Sequence, residues 1–224
     1  MNSVLSNSDV RNSVWNGDCL KLLPTLPDSS ADFILTDPPY ITSYRSRDGR
    51  RVPNDNNDAW LKPAFAELYR VLKPNSFAVS FYGWPRADRF QTAFRRAGFR
   101  IAGHFVFPKP YSSNTQLVNY RHETAYLLAK GNPKPQAIIG DVIDWTYSGN
   151  KYHPTEMPLS VLTPLITAFT PASGLVLDPF AGSGSTLLAA RSLGCQYLGI
   201  ELDAKYHAIA SNRLTQARQR KFHD

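Results

Sequence analysis

The sequence predicts an α/β fold: a mixed, mostly parallel seven-stranded sheet with helices on both faces and an antiparallel hairpin at one edge. Three observations predict it. Short apolar runs recur along the chain with segments of helical periodicity between them, the alternation expected of a parallel sheet covered on both sides. Two apolar stretches between positions 101 and 129 have no helical pattern separating them, which reads as a hairpin added to that sheet. The composition, 42% hydrophobic and 19% charged over 224 residues, can fill the core of one domain spanning 1–224 and is unlike that of a disordered chain.

Taken in order, the apolar runs place strands at 13–15, 31–36, 77–81, 101–107, 124–129, 174–177 and 196–200. The periodic segments place helices at 58–71, 85–97, 159–169, 185–193 and 204–219. The strand at 31–36 must stop where it does, because two prolines follow Asp37 and cannot continue a ladder. Closely spaced glycines, Gly182 and Gly184, lead into the helix at 185–193. Two segments remain without a pattern. One, 41–57, is rich in Arg, Asp, Asn and Ser and reads as a mobile basic loop; the other, 131–152, is rich in Pro and Gly.

Lys and Arg number 25 against 18 Asp and Glu, a net charge of +7, and 16 of those cations are Arg, whose planar fork grips phosphate and stacks on bases. A polyanionic partner fits. No run reaches the roughly 18 apolar residues of a membrane span, and the first residues lack the basic and apolar regions of a signal peptide. A cytoplasmic chain without membrane attachment is expected. Cys19 and Cys195 are too few for a disulfide framework or a zinc knuckle, and the five histidines show no ligand spacing, so no metal is expected.

Two motifs carry chemistry. Asp37-Pro38-Pro39-Tyr40 stands at the carboxyl end of a strand, the edge where open α/β sheets bind ligands. Its rigid turn offers a carboxylate, backbone carbonyls and an aromatic face to an amino group on a ring. Asp178-Pro179-Phe180-Ala181-Gly182-Ser183-Gly184-Ser185 follows another strand and opens a helix, and Glu201, with Leu202 beside it, stands at the tip of the next strand. That spacing suits a nucleoside-containing cofactor, with backbone N–H groups near it and an acid on its ribose. Either motif alone reads as well as a stiff surface turn; both together, each at a strand end, are the specific signal.

On these residues the sequence resembles the S-adenosylmethionine-dependent DNA amino-methyltransferases. Asp37-Pro38-Pro39-Tyr40 matches that family's catalytic tetrapeptide and Phe180-Ala181-Gly182-Ser183-Gly184 its cofactor loop; the tetrapeptide comes first, as in the β class. Asn16-Gly17-Asp18-Cys19 resembles the turn whose acid contacts the cofactor's adenine. His153-Pro154-Thr155-Glu156-Met157-Pro158 resembles the segment over its methionine end, with Met157 where the family usually has Lys. The resemblance implies a Rossmann-like methyltransferase fold, S-adenosylmethionine as cofactor with S-adenosylhomocysteine as product, and DNA as substrate. It also implies that the strands before Asp37 and Asp178 are neighbours.

The expected reaction is direct displacement on the N6 amine of a flipped adenine. Asp37 and the Pro38 carbonyl accept its N–H bonds and Tyr40 stacks on the ring. Arg45, Arg47, Arg50 and Arg51 are expected on phosphates, and Lys109, Tyr111, Ser112, Asn114 and Arg121, in the hairpin turn, form a second DNA surface. Only 131–152 is left for target recognition, which implies a short site or weak preference, as in solitary phage and plasmid enzymes, with or without a restriction partner. Homodimers are frequent in that family. N4-cytosine methylation needs the same clamp and is the nearest alternative. A non-catalytic DNA-binding regulator on the same scaffold is the alternative from another class, and a nicotinamide dehydrogenase would need a third glycine.

Overall fold

The computed structural model describes residues 10–43, 54–113, 117–147, 149, 152–153 and 156–220. In chain order the elements are β1 (Ser13–Asn16), α1 (Cys19–Leu22), a 3₁₀ turn (Leu23–Thr25), β2 (Ala31–Thr36), α2 (Leu61–Val71) and β3 (Leu72–Phe81). A second 3₁₀ turn (Trp84–Arg86), α3 (Ala87–Ala97), β4 (Arg100–Ser113) and β5 (Tyr120–Lys130) follow. The chain continues through α4 (Leu159–Phe169), β6 (Leu175–Asp178), α5 (Ser185–Ser192), β7 (Gln196–Glu201) and α6 (Ala204–Arg220). The seven strands form one sheet in the order β1-β7-β6-β2-β3-β5-β4.

The first five strands of that order run parallel, and β5 and β4 are added antiparallel at one edge. This is the α/β arrangement the alternation predicts and the Rossmann-like fold the resemblance implies, with the hairpin where it was expected. The strand before Asp37 does lie beside the strand before Asp178, with Phe33 opposite Val176 and Ile34 opposite Leu177. Because β2 is buried on both faces, its side chains divide between two cores. Ile34 packs with Leu61, Phe65, Leu68, Phe90 and Phe94 of α2 and α3. Phe33 and Leu35 pack with Val161, Leu165 and Phe169 of α4 and with Leu187 of α5.

Several boundaries differ from the sequence reading, for local reasons. β3 begins at Leu72, not 77, because Pro74 and Asn75 are a distortion inside the strand: Asn75 is left-handed at φ 55°, and the β2 pairing slips there. The hairpin strands are longer than 101–107 and 124–129 because pairing persists to Ser113↔Tyr120 past an interruption at two prolines, Pro108 and Pro110. α2 starts at Leu61, not 58, and the start of the predicted 85–97 helix is the 3₁₀ turn around Pro85. α1 is one turn long and leaves no periodicity to read. The described part of 131–152 is irregular but tied down, with Gln136 donating to the Ala168 carbonyl (2.7 Å) and residues 141–145 running along the outer edge of β4. Among the described residues no helix is long and apolar enough to cross a membrane.

Candidate active site

The parallel strands end on one side of the sheet, and the segments leaving them enclose a cavity of about 420 Å³. Gly17, Asp18 and Cys19 reach it from β1, Asp37 to Tyr40 from β2, Phe180 and Gly182 from β6, and Glu201 and Leu202 from β7. His153, Glu156 and Met157 close it ahead of α4, and Lys109, Tyr111, Glu123 and Trp145 close it from the hairpin side. A smaller hollow of about 60 Å³ shares Asp37, His153, Phe180 and Gly182, and adds Asp178, Ala181, Ser183 and Ser185. Both sequence motifs therefore face one continuous cleft.

On the β2 side, the Thr36 hydroxyl donates to Asp178 Oδ1 (3.0 Å) and bolts the two central strand ends together. Asp37 follows with its Oδ1 buried and without a hydrogen-bond partner. Burial pushes its carboxyl up to about 8; hydrogen bonding from Tyr40 opposes the rise, and the charges of Glu123 and Asp178 add to it. The same burial, with Asp37 and Glu123 nearby, holds the Tyr40 phenol well above its ordinary value. The turn is wedged from behind: a Cβ on Gly83 would sit 2.7 Å from Tyr40 Cβ and 3.1 Å from its carbonyl oxygen, so only glycine lets β3 exit there. Ile41, next in the chain, is left-handed at φ 61°, an uncommon state for a β-branched residue. Arg86 Nε reaches its carbonyl (3.3 Å). Thr42 and Ser43 are anchored by Asp55, which is buried and lines the cavity.

On the β6 side, Gly182 and Gly184 take φ of 52° and 83°. A Cβ on Gly184 would meet Ala210 Cβ at 2.9 Å, so the loop presses on α6, whereas at Gly182 the nearest atom, in His153, is 3.8 Å away. The acids here are already engaged. Glu201 accepts from the N–H of Gly182 (2.7 Å) and of Asp203 (2.8 Å), one on each oxygen. Burial raises its carboxyl and these two bonds oppose that. Asp178 accepts from Thr36 and from Phe180 N (3.1 Å); burial takes it up to about 6 against those bonds and one from Thr186. Asp18 Oδ1 caps α1 through Leu20 N (3.0 Å). Burial first, then Asp18, pushes the Cys19 thiol up to about 12, so it stays protonated and inert. The Ala181 N–H bonds to Ile200, and Leu202 forms an exposed rim.

The sequence reading missed Arg213. From α6 its Nη1 donates to the Ser183 carbonyl (2.8 Å) and hydroxyl (3.0 Å) and approaches Ser185 Oγ (3.4 Å), while Nη2 pairs with Glu156 (2.9 Å). Its guanidinium lies over Tyr152, and His153 packs edge-on against Tyr206. One arginine thus ties the glycine loop to the segment before α4, where Met157 is buried. Nothing in a polar helix of mixed charge singles out such a residue; only the fold does.

The expected DNA contacts divide. Arg45, Arg47, Arg50, Arg51 and Asn114, like Pro154 and Thr155 on the cofactor side, lie outside the described residues. Ser112 and Arg121 are exposed. Lys109, expected in the hairpin turn, lies within β4: it is buried, its Nζ bonded to Glu123 Oε1 (2.6 Å), and with Tyr111 it lines the cavity.

A family model described as DNA methylase, covering N6 and N4 methylases, matches residues 31–212. The chain belongs to the N6/N4 DNA methylase family. YubD of Escherichia coli K12, described as a methylase, is 53% identical to it over 199 residues, 88% of each chain. The solved M1.HpyAVI–SAM complex superposes with a TM-score of 0.73 at 21% identity, over 90% of this chain and 98% of that one. The cytosine-N4-specific PvuII methyltransferase also reaches 0.73, at 19% identity, over 94% and 92%. This DNA methylase thus shares its fold with a cytosine-N4-specific enzyme as well as with M1.HpyAVI, and its substrate is DNA. In it the family's two motifs meet in a single cleft.

Proposed function

We propose that this DNA methylase transfers a methyl group from S-adenosylmethionine to the exocyclic N6 of a flipped adenine, with the motif order of the β class. The observation that carries the reading is the cavity shared by Asp37, Tyr40 and Gly182. Its residues fit the cofactor: about 420 Å³ is the size of a small-molecule site. The left-handed Gly182 lines the cavity without a close contact, Asp18 has one oxygen not used in capping α1, and Glu201 keeps lone pairs beyond its two N–H partners. When bound, the cofactor supplies an electrophilic methyl group.

The chain's own residues do the rest. Asp37 Oδ1, buried and unpartnered, is completed by an N–H of the target amine. That bond favours the carboxylate, which then stabilises positive charge growing on the nitrogen. Pro39 keeps the turn rigid, the Pro38 carbonyl accepts the second N–H, and Tyr40 stacks on the ring. The base reaches this pocket only outside the duplex, and the arginines of 41–57 with Arg121 hold the flanking phosphates. The segment 131–152 supports a short recognition sequence.

Asp at the first position of the tetrapeptide favours adenine; the likeness to the PvuII enzyme favours cytosine N4 as the second reading. Mass analysis of nucleosides from a methylation-free host expressing the protein decides between them. N6-methyladenine is the expected product, N4-methylcytosine installs the second reading, and neither base overturns both. Sequencing of modified bases in the same DNA gives the site, and a strict six-base-pair sequence would refute the short one.

A further inference from the structure

One charged pair lies inside the cavity on the hairpin side and has no part in the chemistry above. Lys109 and Glu123 face each other across β4 and β5, Nζ to Oε1 2.6 Å, with side chains 7% and 26% exposed. The chain is built to put the lysine there. Regular pairing ends at Pro108↔His122 and resumes only at Ser113↔Tyr120, so β4 spends five steps where β5 spends two. Pro108 and Pro110 cannot donate to the ladder, and such an interruption re-aims the side chain between them. Tyr111 supports the ammonium from 5.5 Å.

A buried ion pair gains little stability, because desolvating both charges offsets their attraction. Its placement needs another reason. Glu123 takes one of the three ammonium donors, and among the described residues no other group accepts from Lys109. Glu123 lies near enough to Asp37 and Tyr40 to act electrostatically on both, so the pair borders the space where the target base stands.

We propose that Lys109, held by Glu123, reads the ring of the flipped base by donating to the lone-pair nitrogen next to the amine-bearing carbon. Adenine offers that acceptor at N1 and cytosine at N3, so the pair selects an amine with an acceptor beside it, while Asp37 selects the amine alone. Lys109 is a specificity residue, and Glu123 is its positioning residue. This rests on the methyl-transfer reading and on adenine as target.

The test uses the full-length protein and an oligonucleotide duplex carrying the mapped site, with adenine, 1-deazaadenine or 7-deazaadenine at the target. With wild-type protein the 1-deaza base is expected to lower kcat/KM about 10-fold or more, the discrimination of one good base contact, and the 7-deaza base to change it little. In Lys109→Met/Glu123→Gln, which removes both charges and so strands neither, transfer to adenine falls by a similar factor. The further penalty for 1-deazaadenine disappears, and S-adenosylmethionine still binds by calorimetry. Glu123→Gln alone keeps an acceptor for Lys109 and retains part of the discrimination. A double variant that binds the cofactor and still penalises the 1-deaza base as wild type does overturns the proposal, as does a penalty confined to the 7-deaza base. Failure of wild-type protein to methylate the adenine duplex at all would instead overturn the parent reading.

Discussion

The two walls of the cleft are built on opposite terms. On the β6–β7 wall every acid is already satisfied: Glu201 by two backbone N–H groups, Asp178 by Thr36 and Phe180, and the loop between them by Arg213. On the β2–β4 wall Asp37 keeps an orphaned buried oxygen, Lys109 keeps unused donors, and Ile41 holds a left-handed backbone. A wall whose acids and loop are already held in place is a preformed seat; a wall with a buried group left without any partner is completed by what enters. The first suits a cofactor that any turnover uses, the second a base that must be chosen.

Substitutions on the two walls should therefore fail differently. Asp37→Ala is expected to show the largest effect, a loss of methyl transfer of about 1000-fold by tritium assay with cofactor affinity by calorimetry little changed. A variant that kept near-full transfer would remove Asp37 from its role. Gly184→Ala strikes the other wall. Its methyl group meets Ala210 at 2.9 Å from a left-handed backbone, which should cost roughly 2–4 kcal/mol in urea melts and weaken cofactor binding. Tyr40→Ala should lower kcat/KM by about 10-fold, since a stacked base is worth roughly 1–3 kcal/mol. It should also blunt the fluorescence rise of 2-aminopurine at the target, while cofactor binding stays intact. The smallest signal is in pH. With its carboxyl raised to about 8, Asp37 favours the fold in its protonated form, and that contribution is lost as pH rises from the ordinary carboxylate range through 8. Asp37→Asn, which cannot ionise, should melt higher than wild type at pH 9, by a margin that shrinks as pH falls and closes only below the ordinary carboxylate range, at about pH 3 to 4. A wild-type advantage at pH 9 would contradict the assigned burial.

The seat was far more legible in the sequence than the selective wall. Glycines before a helix and an acid at the next strand tip are local signals, and the neighbourhood of β2 and β6 followed from the resemblance built on them. Asp37 and Tyr40 were legible for the same reason, as the two ends of a four-residue motif with a fixed turn. Lys109 was placed in a hairpin turn because two prolines flank it and end the apolar run; it lies inside β4 and is buried. Only the broken register across β4 and β5 shows that it points inward. Arg213 and Asp55 were invisible because each acts on residues of other elements, at separations no periodicity encodes.

The position of β6 in the sheet has a consequence for how the molecule comes into being. Among the described residues β1 pairs only with β7, 185 residues later at the Asn16–Glu201 contact. β2 waits similarly for β6 on one flank. Contacts this distant along the chain close late and slowly, so a nascent chain carries the Asp37–Tyr40 turn long before the glycine loop that lies opposite it in the cleft. A fragment stopping before Leu175 would lack β6 and β7 and, with them, the wall that carries Gly182 and Glu201.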